Sequence, residues 1–191
     1  MELRIYDNME QCTDEAVNNM LPIVPDWRRD KALKYKHTFG KFACLKSFVM
    51  LQEMVRTITN ADNTLQLTFG YGEHGKPTLN EFPDIHFNIS HCRNAIAVVV
   101  SDAPIGVDVE SFHTADDALV RKTMNEEEER IIKESDDPME MFTVFWTKKE
   151  SVLKLHGTGI IDDLPGTLTG NEQIETIVNK EKKYVCSICK Y

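Results

Sequence analysis

The sequence predicts an α+β fold. Three observations carry that prediction: strand-like apolar stretches come in groups, longer helix-like segments stand beside them, and no steady strand–helix–strand alternation runs through the chain. Taken in order, Leu3 to Tyr6 reads as a short strand, and the region between Trp27 and Thr59 as helices. Thr64 to Phe69 alternates polar and apolar residues as a half-buried strand does. Two strands follow, around His86 to Ser90 and from Ala95 to Val100, and Ile105 to Glu110 makes another. A helix is predicted from about Thr114 to Glu134 and a second from about Met139 to His156, which Gly157 and Gly159 end. Terminal strands close the chain, including Tyr184 to Cys189. Pro104 marks the expected junction between two halves, 1–103 and 104–191.

With 191 residues the chain has room for one ample core or two small ones, at about 100 to 200 residues per domain. The first residues lack an apolar targeting segment and the longest apolar run, Ala95 to Val100, is too short to cross a bilayer, so a cytoplasmic protein with no membrane partner is expected. Five scattered cysteines suit a reducing compartment. Cys186-x-x-Cys189 stands alone, without the further ligands a structural zinc needs, and reads as strand. A net charge of −9 argues against nucleic acid as a partner, because phosphate backbones are held by Lys and Arg. The charge is unevenly spread: Arg28 to Lys46 holds seven basic residues against Asp30 alone, which suits a compact polyanion or an acidic partner.

Gly70, Gly72 and Gly75 carry the G-x-G-x-x-G spacing of a dinucleotide-binding turn. A strand leads into it, but Lys76 is followed by Pro77 and then by Glu81-Phe82-Pro83-Asp84, with no helical periodicity to supply the amides of a helix N-terminus. A P-loop is excluded too, since proline stands where Ser or Thr is required. The stretch reads as a hairpin turn.

Three stretches carry chemistry. In Ile105-Gly106-Val107-Asp108-Val109-Glu110 the two carboxylates share one strand face, suited either to solvent or to one cation. In Trp146-Thr147-Lys148-Lys149-Glu150-Ser151-Val152-Leu153-Lys154, Glu150 and Lys154 lie one turn apart on a helix whose apolar residues bury its other side. Ser90 and His91 end a strand, where both can donate to an anion. Together with the basic segment these are the parts of a magnesium-assisted phosphoryl transfer, since Mg²⁺ takes a few carboxylates and completes its shell with water and phosphate.

In this order, Gly75-Lys76-Pro77, Asn88-Ile89-Ser90-His91, Ile105 to Glu110, and Trp146-x-x-Lys149-Glu150-Ser151-x-x-Lys154 with Gly157-x-Gly159 resemble the single-chain, surfactin-synthetase-activating type of 4'-phosphopantetheinyl transferase. The resemblance implies two similar α+β halves related by pseudo-twofold symmetry, with coenzyme A between them. It implies transfer of the phosphopantetheine arm to a serine of an apo acyl or peptidyl carrier protein in fatty acid, polyketide or peptide synthesis, with release of 3',5'-ADP. The N-terminal half, 1–103, would then contact the 3'-phosphate and adenine, and the C-terminal half, 104–191, would hold the metal and catalytic groups. Lys76, Ser90 and His91 are expected to contact coenzyme A, with Arg28, Lys31 and Lys41 near its 3'-phosphate. Asp108, Glu110 and Glu150 are expected to hold Mg²⁺, or Mn²⁺, against the pyrophosphate, and Lys154 to stabilise the leaving phosphate. The base for the carrier serine is expected to be Glu150, or a metal-bound water that it orients, with Glu127 as second choice. Two halves within one chain imply a monomer. Another magnesium-dependent transfer on a nucleotide, or a non-catalytic module binding coenzyme A or carrier protein, are the competing readings; the second calls for a missing carboxylate or lysine, and Asp108, Glu110, Glu150 and Lys154 are all present.

Overall fold

The computed structural model describes residues 1–72, 74–159 and 164–191. It is an α+β structure with two three-stranded antiparallel sheets and a short hairpin. The first sheet holds β1 (Glu2–Tyr6), β4 (His86–His91) and β5 (Ile96–Ser101) in the order β1-β5-β4; the second holds β6 (Ile105–Ser111), β7 (Gln173–Asn179) and β8 (Tyr184–Lys190) in the order β6-β8-β7. Each sheet therefore repeats one scheme: a first strand, a long helix, then a hairpin whose last strand pairs between the other two. The long helices are α3 (Thr38–Thr59) and α6 (Pro138–His156).

Local sequence explains these elements. Along α3, Phe42, Leu45, Phe48, Leu51 and Val55 recur at three- and four-residue spacing and are all buried in the first core, and Asn60 ends the helix in the left-handed region at φ 52°. In α6 the Asp137 side chain accepts from the Glu140 amide, Pro138 opens the helix, and Gly157 ends it at φ 70°. Below the sheets, Ala97 and Val99 of β5 share a core with Val107 and Val109 of β6 and with Cys186 and Ile188 of β8. The apolar packing therefore runs across the junction at Pro104.

Where β4 meets β6 the sheets are joined by side chains. Asn88 Oδ1 accepts from the Val107 amide at 3.0 Å, and Ser90 Oγ donates to Asp108 Oδ1 at 2.8 Å. On the other side of β6, Gly106 lies directly against α6: a Cβ added there would fall on the Ser151 carbonyl oxygen and 2.5 Å from the Leu155 nitrogen. Glycine is required by this close approach rather than by a special backbone angle.

Two predictions are corrected. The strand assigned to Thr64 to Phe69 begins only at Phe69, where β2 (Phe69–Tyr71) pairs with β3 (Pro77–Leu79). Leu67 is buried as its alternation requires, but the backbone before Phe69 is answered by side chains: Gln52 Nε2 donates to the Leu65 carbonyl at 2.6 Å, and the Glu81 carboxylate accepts from the Thr68 amide at 2.9 Å. The single helix from Thr114 to Glu134 is two, α4 (Asp117–Thr123) and α5 (Glu126–Glu134), because the Asn125 side chain caps a new start and Met124 turns to extended backbone. A helix at the N-terminus, α1 (Asp14–Met20), capped by Thr13, went unforeseen, while the helices expected between Trp27 and Thr59 are α2 (Asp26–Leu33) and α3.

The glycine turn is the hairpin between β2 and β3, with Gly75 at φ 80° and no helix after it; Glu73 lies outside the described residues. Cys186 and Cys189 both lie in β8 and point to different cores, and burial pushes each thiol up to about 12. Among the described residues no helix is long and apolar enough to cross a membrane.

Candidate active site

A cavity of about 510 Å³ opens between the two halves. Its C-terminal wall is built by β6 and α6. Alternation along β6 sends Asp108 and Glu110 to the side away from Val107 and Val109, and the α6 repeat puts Glu150 and Lys154 one turn apart over them. The bare Cα of Gly106 lets α6 come close enough to bring the two pairs together. Ser90 and His91, at the end of β4, complete this end of the cavity.

The hydrogen bonding is compact. Lys154 Nζ lies 2.6 Å from Asp108 Oδ1 and 2.9 Å from Ser90 Oγ, and Ser90 Oγ in turn donates to the same Asp108 oxygen. Asp108 is only 3% exposed, and its other oxygen, Oδ2, is buried with no partner among the described residues. Burial raises the Glu110 carboxyl from 4.5 to about 7, with Asp108 and Glu150 adding to the rise and Lys154 opposing it. Burial, then Asp108, raises Glu150 as well, again against Lys154. Three carboxylates thus share one ammonium, and the group is short of positive charge. Among the described residues no set of three His, Cys, Asp or Glu side chains is drawn closely enough together to enclose a metal ion. An orphan carboxylate oxygen beside two carboxyls raised by burial and by the charge of Asp108 nevertheless fits an open-sided Mg²⁺ donor set, which leaves positions for water and phosphate.

The opposite end of the cavity is cationic. Arg28 is 5% exposed; its guanidinium donates to the Cys44 carbonyl at 3.0 and 2.6 Å and to Ser47 Oγ at 3.3 Å, with the rings of Trp27, Phe48 and Phe69 5.3–5.9 Å away. Burial lowers its pKa, and among the described residues no carboxylate forms an ion pair with it. Lys31 lines the same end, as do the Tyr35 and Tyr71 rings. Desolvation, then the nearby Lys154 and Arg28, lowers the His91 pKa, so its imidazole is neutral near pH 7.

Three predicted site residues are not brought there. The Lys76 ammonium is spent on the carbonyls of Leu155, at 2.8 Å, and Ile105, at 3.1 Å, so the lysine ties the glycine hairpin to the second half while its neighbours Gly75 and Pro77 line the cavity. Lys41, in the first turn of α3, is not among the cavity residues. Glu127 is exposed on α5 and held by Arg130 at 2.7 and 2.9 Å. The helix phase is the reason: Ile132 and Glu128, four apart, face inward, which turns Glu127 to solvent. Glu128 is the member of the acidic run that reaches α6, where its Oε2 meets Lys149 Nζ at 2.9 Å. Lys149, 1% exposed, also donates to the carbonyls of Leu164 and Pro165. Asn125-x-x-Glu128 has the spacing of a capping box, a signal that could have singled out Glu128. Cys44, which lines the cavity, had no such signal; Trp146, which lines it too, opened the family motif without being given a site role.

Comparison with known proteins bears on these residues directly. Residues 104–189, the span carrying Asp108, Glu110, Glu150 and Lys154, match the family described as the 4'-phosphopantetheinyl transferase superfamily. The chain is 26% identical over 158 residues to 4'-phosphopantetheinyl transferase Sfp of Bacillus subtilis (strain 168), covering 82% of this chain and 70% of that protein. It is 29% identical over 145 residues to a further 4'-phosphopantetheinyl transferase of Bacillus subtilis, with 75% and 64% covered. It is 25% identical over 173 residues to 4'-phosphopantetheinyl transferase gsp of Aneurinibacillus migulanus, with 82% and 72% covered. The chain spans about two thirds of the length of these relatives.

Proposed function

We propose that this chain, which carries a 4'-phosphopantetheinyl transferase superfamily domain over residues 104–189, is an enzyme that moves the phosphopantetheine arm of coenzyme A to a serine hydroxyl of an apo acyl or peptidyl carrier protein, releasing 3',5'-ADP. The observation that carries the proposal is the polarity of the cavity: a carboxylate cluster with one lysine at one end and, at the other, a buried arginine without an ion-pair partner among the described residues.

A nucleotide with a terminal phosphate suits the cationic end. Arg28 is held by Cys44 and Ser47 with its planar fork preorganised, and Lys31 adds a mobile charge at the rim. Asp108, Glu110 and Glu150 are the residues that would hold Mg²⁺ or Mn²⁺. When bound, the ion supplies neutralisation of the pyrophosphate charge, so that a hydroxyl can approach the phosphorus. Lys154 stabilises charge on the departing phosphate, and Ser90 orients both Lys154 and Asp108 through its hydroxyl. Glu150, whose carboxyl is raised by burial and Asp108, is suited to take the proton of the carrier serine. Glu127, on the solvent side of α5, is withdrawn from that role. Lys76 acts by holding the hairpin against the second half instead of binding phosphate. The basic segment around α2 suits docking of an acidic carrier. One chain completes the cavity, and the working unit is taken as a monomer in the cytoplasm.

The test is intact-mass measurement of an apo carrier protein incubated with this protein, coenzyme A and Mg²⁺, beside an EDTA control. A metal-dependent gain of one phosphopantetheine arm is expected. Absence of any gain across several carrier types would overturn the proposal.

A further inference from the structure

We infer that Lys154 is the resident counter-ion of the divalent-cation site, so that cation binding is an exchange: the ion takes Asp108 and the Lys154 ammonium swings from it into the substrate cavity. The inference rests on reading Asp108, Glu110 and Glu150 as the cation's donors, and it is tested without coenzyme A.

The geometry points this way at each atom. Asp108 Oδ1 already receives two donors, Lys154 Nζ at 2.6 Å and Ser90 Oγ at 2.8 Å, while Oδ2 has none among the described residues. A divalent ion drawing Asp108 together with Glu110 and Glu150 would meet an ammonium already bonded to that carboxylate. Two cations on one carboxylate in a half-buried site repel more strongly than in water, because the surroundings screen them less. The cation that can leave is the lysine. Its side chain is 29% exposed, it lines the cavity, and it ends a flexible four-carbon stem. Asp108 and Ser90 are by contrast fixed on neighbouring strands and almost wholly buried.

The exchange gives the site an order of events. In the metal-free protein the ammonium neutralises Asp108 and is withheld from substrate. Metal loading frees it, and the released charge is delivered where an anionic phosphate lies. Lys154 is then both a contact of the departing phosphate and the residue that sets metal affinity.

Two readouts test this. Mn²⁺ binding, followed by the electron paramagnetic resonance of the free ion, is measured for the wild type, Lys154→Met and Lys154→Gln. Removing the competing ammonium should tighten binding by about tenfold or more in both variants, the size expected for loss of a nearby like charge. Proximity alone would also tighten binding, so the second readout follows the lysine. Acetylation of Lys154 by a water-soluble activated ester, quantified by peptide mass spectrometry, should rise on titration with Mg²⁺, with a midpoint at the Mg²⁺ Kd, while acetylation of the surface residue Lys133 stays flat. Unchanged or weaker Mn²⁺ binding in both variants, or Lys154 labelling that stays level or falls with Mg²⁺, would overturn the exchange. Either result with normal cation binding leaves the transfer reaction standing. Absence of Mn²⁺ binding in all three proteins would overturn the cation site as well.

Discussion

Gly106→Ala is the substitution through which packing reaches chemistry most directly. The added Cβ would fall on the Ser151 carbonyl oxygen, 2.5 Å from the Leu155 nitrogen and 3.0 Å from its Cα, where ordinary contact begins near 3.4 Å. All of these partners are helix backbone, so no side chain can rotate away; relieving the Leu155 nitrogen alone takes a retreat of α6 from β6 of about 0.9 Å, and relieving the Ser151 oxygen takes more. Overpacking of this kind costs about 3 kcal/mol, at the upper end of the usual range. For a chain of 191 residues that lowers Tm by roughly 6–12 °C. The same retreat carries Glu150 and Lys154 away from Asp108 and Glu110, and a displacement near 1 Å at a catalytic group costs on the order of 100-fold in rate. The assay is a pair of measurements on one preparation: Tm by thermal unfolding, and the rate of carrier modification well below that Tm. Gly72→Ala is the control, because among the described residues a Cβ there meets only the Lys76 carbonyl at 3.7 Å. A Gly106→Ala protein that melts like the wild type and modifies carrier at the wild-type rate would refute the argument that this contact sets the site.

Lys149→Met removes the only described ion-pair partner of the buried Glu128 carboxylate, together with two hydrogen bonds to the Leu164 and Pro165 carbonyls. Breaking a buried pair from one side should cost about 3–5 kcal/mol in urea unfolding; a loss under about 1 kcal/mol would place Glu128 and Lys149 in contact with water. Glu110 gives the apo protein a pH dependence. Its carboxyl stays protonated to about pH 7 when folded but ionises near 4.5 when unfolded, so the folded state binds more protons between these values and stability falls as pH rises across them. With allowance for screening on the open side of the cavity the fall is about 1–2 kcal/mol, and in EDTA Glu110→Gln should flatten it; an unchanged slope would assign the dependence elsewhere. Glu127→Gln should leave carrier modification within about twofold of wild type, since an exposed pair with Arg130 contributes little; a large loss of rate would restore Glu127 to the site.

The strands and helices that carry the site were legible because their periodicities are strong. Ile105 to Glu110 alternates without a break, and the helix bearing Glu150 and Lys154 has a capped start and a glycine end. The motif order was legible too, and with it the family that residues 104–189 match. The misplaced strand at Thr64 and the undivided helix across Asn125 show the limit of such reading. Alternation reports which side chains are buried, not whether the backbone finds a ladder, and a single capping asparagine outweighs a helical composition.

Residue chemistry along the chain therefore determined which groups were available: the acidic pair on one strand face, the Glu150 and Lys154 turn, the basic segment. Which of them meet was decided by tertiary structure. Helix phase chose Glu128 over Glu127 for the interior, and the approach of α6 over Gly106 set Lys154 on Asp108. The packing of the Lys76 side chain against Gly157 at the end of α6 delivered its ammonium to the Leu155 and Ile105 carbonyls instead of to the cavity. The physical reason is that these outcomes turn on distances of an ångström between elements far apart in sequence, and a one-dimensional pattern carries the period of each element but not the contact between them.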